Sequence, residues 1–108
     1  MLFRSKEGTL LSKASYRRLH RGLKTGKKKA YALGWIVVER DWARDGRWGS
    51  RRVLTHAGSN NSWFSVVWMA PERDFAVLAA TNMGGEGVYS KLDAIAWPVI
   101  QEHLRTLE

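Results

Sequence analysis

From Trp63 to Ala70 and again from Phe75 to Thr81 the chain is apolar at nearly every position, with the turn Pro71-Glu72-Arg73-Asp74 between the two runs. Runs this short, rich in aromatic and β-branched residues and divided by a proline turn, predict an antiparallel hairpin. Trp63, Val67 and Met69 fall on one face of the first strand with Ser65 among them, and Phe64, Val66, Trp68 and Ala70 fall on the other. A sheet apolar on both sides needs cover on both. Val88 to Leu107 supplies one cover, because Val88, Leu92, Ile95, Val99, Ile100 and Leu104 recur at helical spacing. Pro98 is expected to kink this helix by deleting one hydrogen bond and crowding the carbonyl of Ala94.

Upstream the pattern is weaker. Leu10 to Leu23 reads as a short helix with Ser12 as N-cap and Leu11, Tyr16, Leu19 and Leu23 on one stripe. Gly22 and the stretch Thr25 to Lys29 interrupt it and predict a solvated loop. Tyr31 to Arg40 reads as one strand, and Asp45-Gly46 within Asp41 to Ser50 predicts a hairpin leading into Arg51 to Thr55. The expected fold is therefore α+β: an antiparallel sheet of about four strands, a short N-terminal helix, and a long C-terminal helix packed on the sheet. Two regions follow: a basic helix and loop at 1–30, and a sheet-plus-helix part at 31–108. The short helix alone is a poor cover for the second face. A missing or intermolecular partner is expected there, and with it a homo-oligomer formed through the uncovered sheet face.

Composition changes this picture in one respect. The 108 residues carry a net charge of +8, yet residues 1–30 hold ten Lys/Arg against one Glu, and residues 31–108 hold eight against nine acids. All the excess positive charge belongs to the N-terminal region. Arg17, Arg18, Arg21, Lys24 and Lys27 to Lys29 could track a phosphate backbone, so a nucleic-acid-binding module stands as a rival to a solvated helix face. No apolar run approaches the ~20 residues of a membrane span, and the first residues have no apolar core of a signal peptide. The absence of cysteine excludes disulfides, thiolate metal sites and a cysteine nucleophile.

The candidate chemistry lies in Thr55-His56-Ala57-Gly58-Ser59, which joins two apolar strands. An imidazole and backbone N–H groups at the lip of a sheet suit an oxyanion hole, where donors meet charge developing on a carbonyl oxygen. No nucleophile accompanies them: none of the eight serines has lysine three places on.

Tyr31-Ala-Leu-Gly-Trp35, Leu54-Thr-His-Ala-Gly-Ser-Asn60, Val66-Val-Trp-Met-Ala-Pro71 and Val77-Leu-Ala-Ala-Thr-Asn82, in that order, resemble the C-terminal part of the serine β-lactamase and penicillin-binding-protein-like hydrolases. The likeness is to the class C-type and esterase-like branch, and with Leu10 to Tyr16 it covers about residues 10 to 106. That family works with Ser-x-x-Lys, a Tyr/Ser-x-Asn element, and Lys-Thr-Gly or His-x-Gly. Only the third is present, as His56 and Gly58. The resemblance implies that His56 helps hold the substrate and polarise the hydroxyl network, and that Gly58 lets backbone approach substrate. It also implies that the N–H of Ser59 is one oxyanion-hole donor. Ser62 stands where the family often has a second glycine. The chain then reads as the last third of such a hydrolase, beginning at an internal methionine or an expression boundary. It would be inactive alone, need no cofactor, and depend on polypeptide elsewhere, in a possible partner chain, for the catalytic serine. Proteins of the family are often periplasmic or secreted.

Blander readings compete at each position. His56 could be a satisfied strand-end histidine. Lys24-Thr25-Gly26 spells the third motif but lies in a basic loop before the strands, so it reads as a chance match. Ser59-Asn60-Asn61 fits a turn better than Ser-x-Asn. Gly84-Gly85-Glu86-Gly87 opens a helix, yet Ser90 and the lack of a later acid-bearing strand disagree with a dinucleotide fingerprint. His20 and His103 read as surface residues of helices, no His, Asp or Glu set has metal spacing, and Trp35, Trp63, Trp68 and Trp97 read as core. A non-catalytic, self-associating remnant therefore stands beside the hydrolase fragment.

Overall fold

Tyr31 to Arg40 does not form one strand. Leu33 and Gly34 both take positive φ, 45° and 105°, and reverse the chain so that Ala32 pairs with Trp35. Two consecutive positive φ angles are what a two-residue hairpin turn demands, since they match the twist of the flanking strands. Glycine accepts that geometry freely, whereas Leu33 is held in it against its side-chain sterics.

A computed structural model describes residues 10–25, 29–44 and 50–107. The expected class holds, but the sheet has six strands rather than four: β1 (Leu23–Thr25), β2 (Lys29–Ala32), β3 (Trp35–Glu39), β4 (Arg52–Ser59), β5 (Phe64–Ala70) and β6 (Phe75–Thr81). They lie side by side in chain order, each antiparallel to the next. The β3–β4 connection is antiparallel as expected, and Arg40 N–H donates to Arg51 C=O at its mouth. The Asp45-Gly46 turn itself lies outside the described residues. Between β5 and β6 a 3-10 turn, Pro71–Arg73, ends at Asp74 with φ 55°.

The N-terminal helix, α1 (Lys13–His20), is shorter than the pattern predicts. Ser12 caps it as expected, its Oγ accepting from Ser15 N–H at 3.2 Å. Arg21 is already extended, and Leu23 pairs with Tyr31 in the sheet instead of continuing the helical stripe. The C-terminal helix, α2 (Val88–Arg105), runs without interruption through the exposed Pro98.

The two faces alternate as read from the sequence. One carries Val53, Thr55, Val66, Trp68, Ala70, Phe75 and Val77, and α2 lies across its β5–β6 half. Val77 packs with Ala96 and Ile100 of α2, while Val53 and Ala70 pack with Ala43 of a 3-10 turn, Asp41–Ala43. Trp42 and Trp68 touch both clusters. Trp68 Nε1 donates to Asp93 Oδ1 at 2.7 Å, tying β5 to α2 by a charge-assisted bond. His103 is not a free surface residue. It is half-buried, and its ring stacks on Phe75 at 3.9 Å and 6°.

The opposite face is covered over only part of its area. Leu54 is fully buried beside Met69, and each such side chain contributes about 1.5–3 kcal/mol by leaving water. The end of α1 lies over this half. His20 feels both partners of the Arg52–Glu72 ion pair, and a Cβ on Gly22 would come within 2.6 Å of Ala30 Cβ. Further along β4 and β5 and across to β6, the same face carries exposed His56, Gly58, Ser65, Leu78 and Ala80.

Candidate functional site

β4 is eight residues long, and only its first half is flanked on both sides. The β3 pairing runs from Glu39↔Arg52 to Ile36↔Thr55 and stops, whereas the β5 pairing continues to Ser59↔Phe64. His56 to Ser59 thus project beyond β3, held from one side among the described residues. Thr55 anchors the point of departure. It is buried, and its Oγ1 donates to Val67 C=O at 2.8 Å.

The three residues expected to form the site follow one another along this projection but do not share a face. His56 is exposed on the uncovered face, in a row with Val67 and Leu78. Gly58 lies on the same face, one row further, beside Ser65 and Ala80. A Cβ at Gly58 would meet Ser65 Oγ at 3.4 Å, an ordinary contact, so the fold itself does not require glycine there. What the missing side chain does is leave the backbone bare. Ser59 points to the α2 face, and its Oγ accepts from Asn61 N–H at 3.1 Å.

The turn after β4 is held by its own side chains, as the Asn-rich sequence suggests. Besides the Ser59 bond, Asn60 Oδ1 accepts from Ser62 N–H at 3.2 Å, and Asn61 has φ 73°. Gly84 supports it from beneath: a Cβ there would lie 1.7 Å from Asn61 O. The sequence showed Gly84 only as part of a loop, because a close approach across twenty-three residues leaves no local signal. Two open depressions flank the projecting strand. One, of 350 Å³, is lined by His56, Ser65, Val67 and Leu78 among others. The second, of 460 Å³, runs along Ser59, Asn60, Trp63 and Thr81, and both share Gly58, Ser65 and Ala80.

Ser65 is the residue that sequence reading passed over. It noted a polar break in an apolar face, and the sheet puts that hydroxyl beside Gly58. No hydrogen bond joins it to His56 among the described residues. More broadly, no described serine hydroxyl bonds to a lysine, histidine or carboxylate. Among the described residues no group of three His, Asp or Glu could hold a metal ion, and no helix is long and apolar enough to cross a membrane.

Elsewhere, Arg17, Arg18 and Arg21 line a 630 Å³ depression floored by Ala14, Leu23, Ala32 and Leu33, so the basic stripe of α1 faces a partly apolar hollow. His20, expected at the surface, is half-buried. Burial first, and then the Arg52 guanidinium, hold its imidazole below the ordinary histidine value, against the opposite pull of Glu72. At the far end of β3 the hydrogen bond from Arg51 holds the exposed Asp41 carboxyl below its usual range.

Comparison of the chain with protein-family models, curated proteins and solved structures gives no match.

Proposed function

We propose that this chain is the C-terminal portion of a β-lactamase-related serine hydrolase. It would contribute His56, Gly58 and the N–H of Ser59 to an acylation site whose serine lies on polypeptide outside it. The observation that carries the reading is the projection of His56 to Ser59 past β3, on the border of the uncovered sheet face. A strand bare along one side offers N–H and C=O groups in a row, and an extended substrate can add to such a row as another strand would. Its carbonyl would then lie near backbone donors, with the imidazole of His56 one residue pair away. In such a reaction a serine hydroxyl adds to the carbonyl of a β-lactam, peptide or ester. The leaving group departs with a proton, and water then releases the acyl group. No described serine hydroxyl is hydrogen-bonded to a lysine, histidine or carboxylate, which supports an auxiliary rather than a catalytic part for the isolated polypeptide.

The purified chain should show no burst with a chromogenic β-lactam or a p-nitrophenyl ester, and no stoichiometric labelling by a fluorophosphonate. Stoichiometric labelling of one defined serine would overturn the assignment of the nucleophile to another segment. The positive test is the coding sequence in frame before Met1. It should encode Ser-x-x-Lys and Tyr-x-Asn, and the joined polypeptide should acylate at that serine with a rate that His56→Ala lowers. A preceding frame without either motif would remove the proposal. The bare apolar surface also favours association of the chain with copies of itself.

A further inference from the structure

We infer that two copies of this chain associate edge to edge, β6 against β6, about a two-fold axis at Leu78. The inference concerns the sheet edge and does not depend on the hydrolase reading.

The two edges of the sheet differ in kind. At one end β1 has only three residues, and so short an edge offers little for another strand to pair with. At the other end β6 presents seven residues, Phe-Ala-Val-Leu-Ala-Ala-Thr, with no charge, proline or glycine. Its outer backbone groups have no strand partner among the described residues. Such an edge is a template for another strand.

Charge selects a second copy as the partner and this edge as the meeting place. The whole excess of positive charge belongs to residues 1–30, whose described part lies at the β1 end, while residues 31–108 are close to neutral. Copies joined through β6 keep their basic ends at the far extremes of a continuous sheet. An axis at Leu78 sets Val77 opposite Ala79, Ala76 opposite Ala80 and Phe75 opposite Thr81, so no like charges meet.

The helix above the edge fits the same axis. Asp93 and Trp97 turn toward the β3–β5 side, where Asp93 bonds Trp68 and Trp97 lines a hollow with Arg40 and Trp42. At 100° per residue Ile95 and Val99 therefore lie on the opposite flank, beside the free edge. Both are exposed, at 57% and 47%, as is Leu78 at 67%. Because α2 sits over β5 and β6 alike, two copies of it would run antiparallel roughly 10 Å apart, a normal helix-packing distance. Val77 packs on Ala96 and Ile100, which puts the axis near the middle of α2. Ile95 then meets Val99 of the partner subunit, and Lys91 meets Glu102 of the partner subunit, both pairs straddling the same point. The strip is roughly 25 Å long and 15 Å deep, about half the area per partner of a standard stable interface, so a weak, reversible dimer is expected.

The test is sedimentation equilibrium of the full chain and three variants at physiological salt. The wild type should be a monomer–dimer system. Leu78→Lys sets two ammonium groups face to face and should raise the dissociation constant at least about tenfold. Lys91→Glu should weaken the dimer several-fold, and the double variant Lys91→Glu/Glu102→Lys should restore it, which a merely structural role for either residue would not do. Circular dichroism checks that each variant is folded, and all three positions are exposed. A monomeric wild type overturns the inference. So does a dimer indifferent to Leu78→Lys, which would place association elsewhere, or one that the charge swap fails to rescue. None of these results bears on whether His56 serves an acylation site.

Discussion

Leu54 and Leu78 point to the same face of the sheet, two strands apart, and their exposures are 0% and 67%. Truncating each to alanine measures how far the cover on that face reaches. At Leu54 nothing is open to solvent, so Leu54→Ala loses the transfer free energy of the removed groups and leaves a cavity. The usual range for such a change is about 2–5 kcal/mol, and a central value near ~3 applies beneath a short helix that can settle only in part. For a domain of this size that lowers the melting temperature by about 12 °C. At Leu78 a third of the side chain is buried within one chain, and scaling a full leucine burial of ~2 kcal/mol gives at most about 0.7 kcal/mol. Urea unfolding followed by tryptophan fluorescence and circular dichroism, with a common slope, reads both values. The measurement belongs at low protein concentration, where pairing through β6 is absent. A cost under about 1 kcal/mol for Leu54→Ala would refute the cover by α1, and equal costs at both sites would show the bare patch to be covered within one chain.

Three further outcomes are expected. The neutral His20 imidazole stabilises the fold, so that contribution is complete above the ordinary histidine value of about 6.5 and is lost as pH falls through the depressed folded value. The melting temperature should fall from about pH 7.5 to pH 5 in the wild type and less steeply in His20→Gln, and identical slopes would refute the assignment. Leu33→Asn should stabilise the protein by roughly 0.5–1 kcal/mol in urea titration, because Leu33 is exposed and strained at φ 45° while asparagine tolerates that region. Gly84→Ala should cost at least about 2 kcal/mol and shift the amide resonances of Ser59 to Trp63, since its methyl would occupy the Asn61 carbonyl; an unperturbed turn would contradict the contact.

The sequence made the C-terminal half of the fold legible because its signals are local and strong. Pro71 to Asp74 divides two apolar runs, and Leu92 and Ile100 of the expected helical stripe are buried, although Ile95 and Val99 of that stripe are exposed and Ala96 takes their place in the core. The N-terminal half was less legible for an equally physical reason. Tyr31 to Arg40 has strand-forming residues throughout, and its reversal rests on Gly34 together with a leucine that had to accept positive φ. β1 has three residues and almost no pattern of its own; Leu23 extended the α1 stripe as plausibly as it paired with Tyr31. For the site, the sequence put His56 to Ser59 at a sheet lip after a strand ending near Thr55, whereas the strand runs on to Ser59; the shared face of His56 and Gly58, the role of Ser59 as a turn acceptor and the position of Ser65 all depend on register with β5. The support from Gly84 depends on tertiary contact alone.

Every strand in this sheet pairs with its neighbour in the chain, and apart from the twelve residues 40–51 between β3 and β4 each connection is two to four residues long. The entropy lost at each step is small, and zipping from one hairpin to the next is a local event. Seating α2 reaches farther: Asp93 returns to Trp68, twenty-five positions away, and His103 to Phe75, twenty-eight away, while Trp42 joins the Ala96 and Ile100 cluster from beyond the sheet's middle. Refolding kinetics should accordingly resolve early backbone ordering from a later quenching change at Trp68, with the speed of the whole governed by the docking of the last helix.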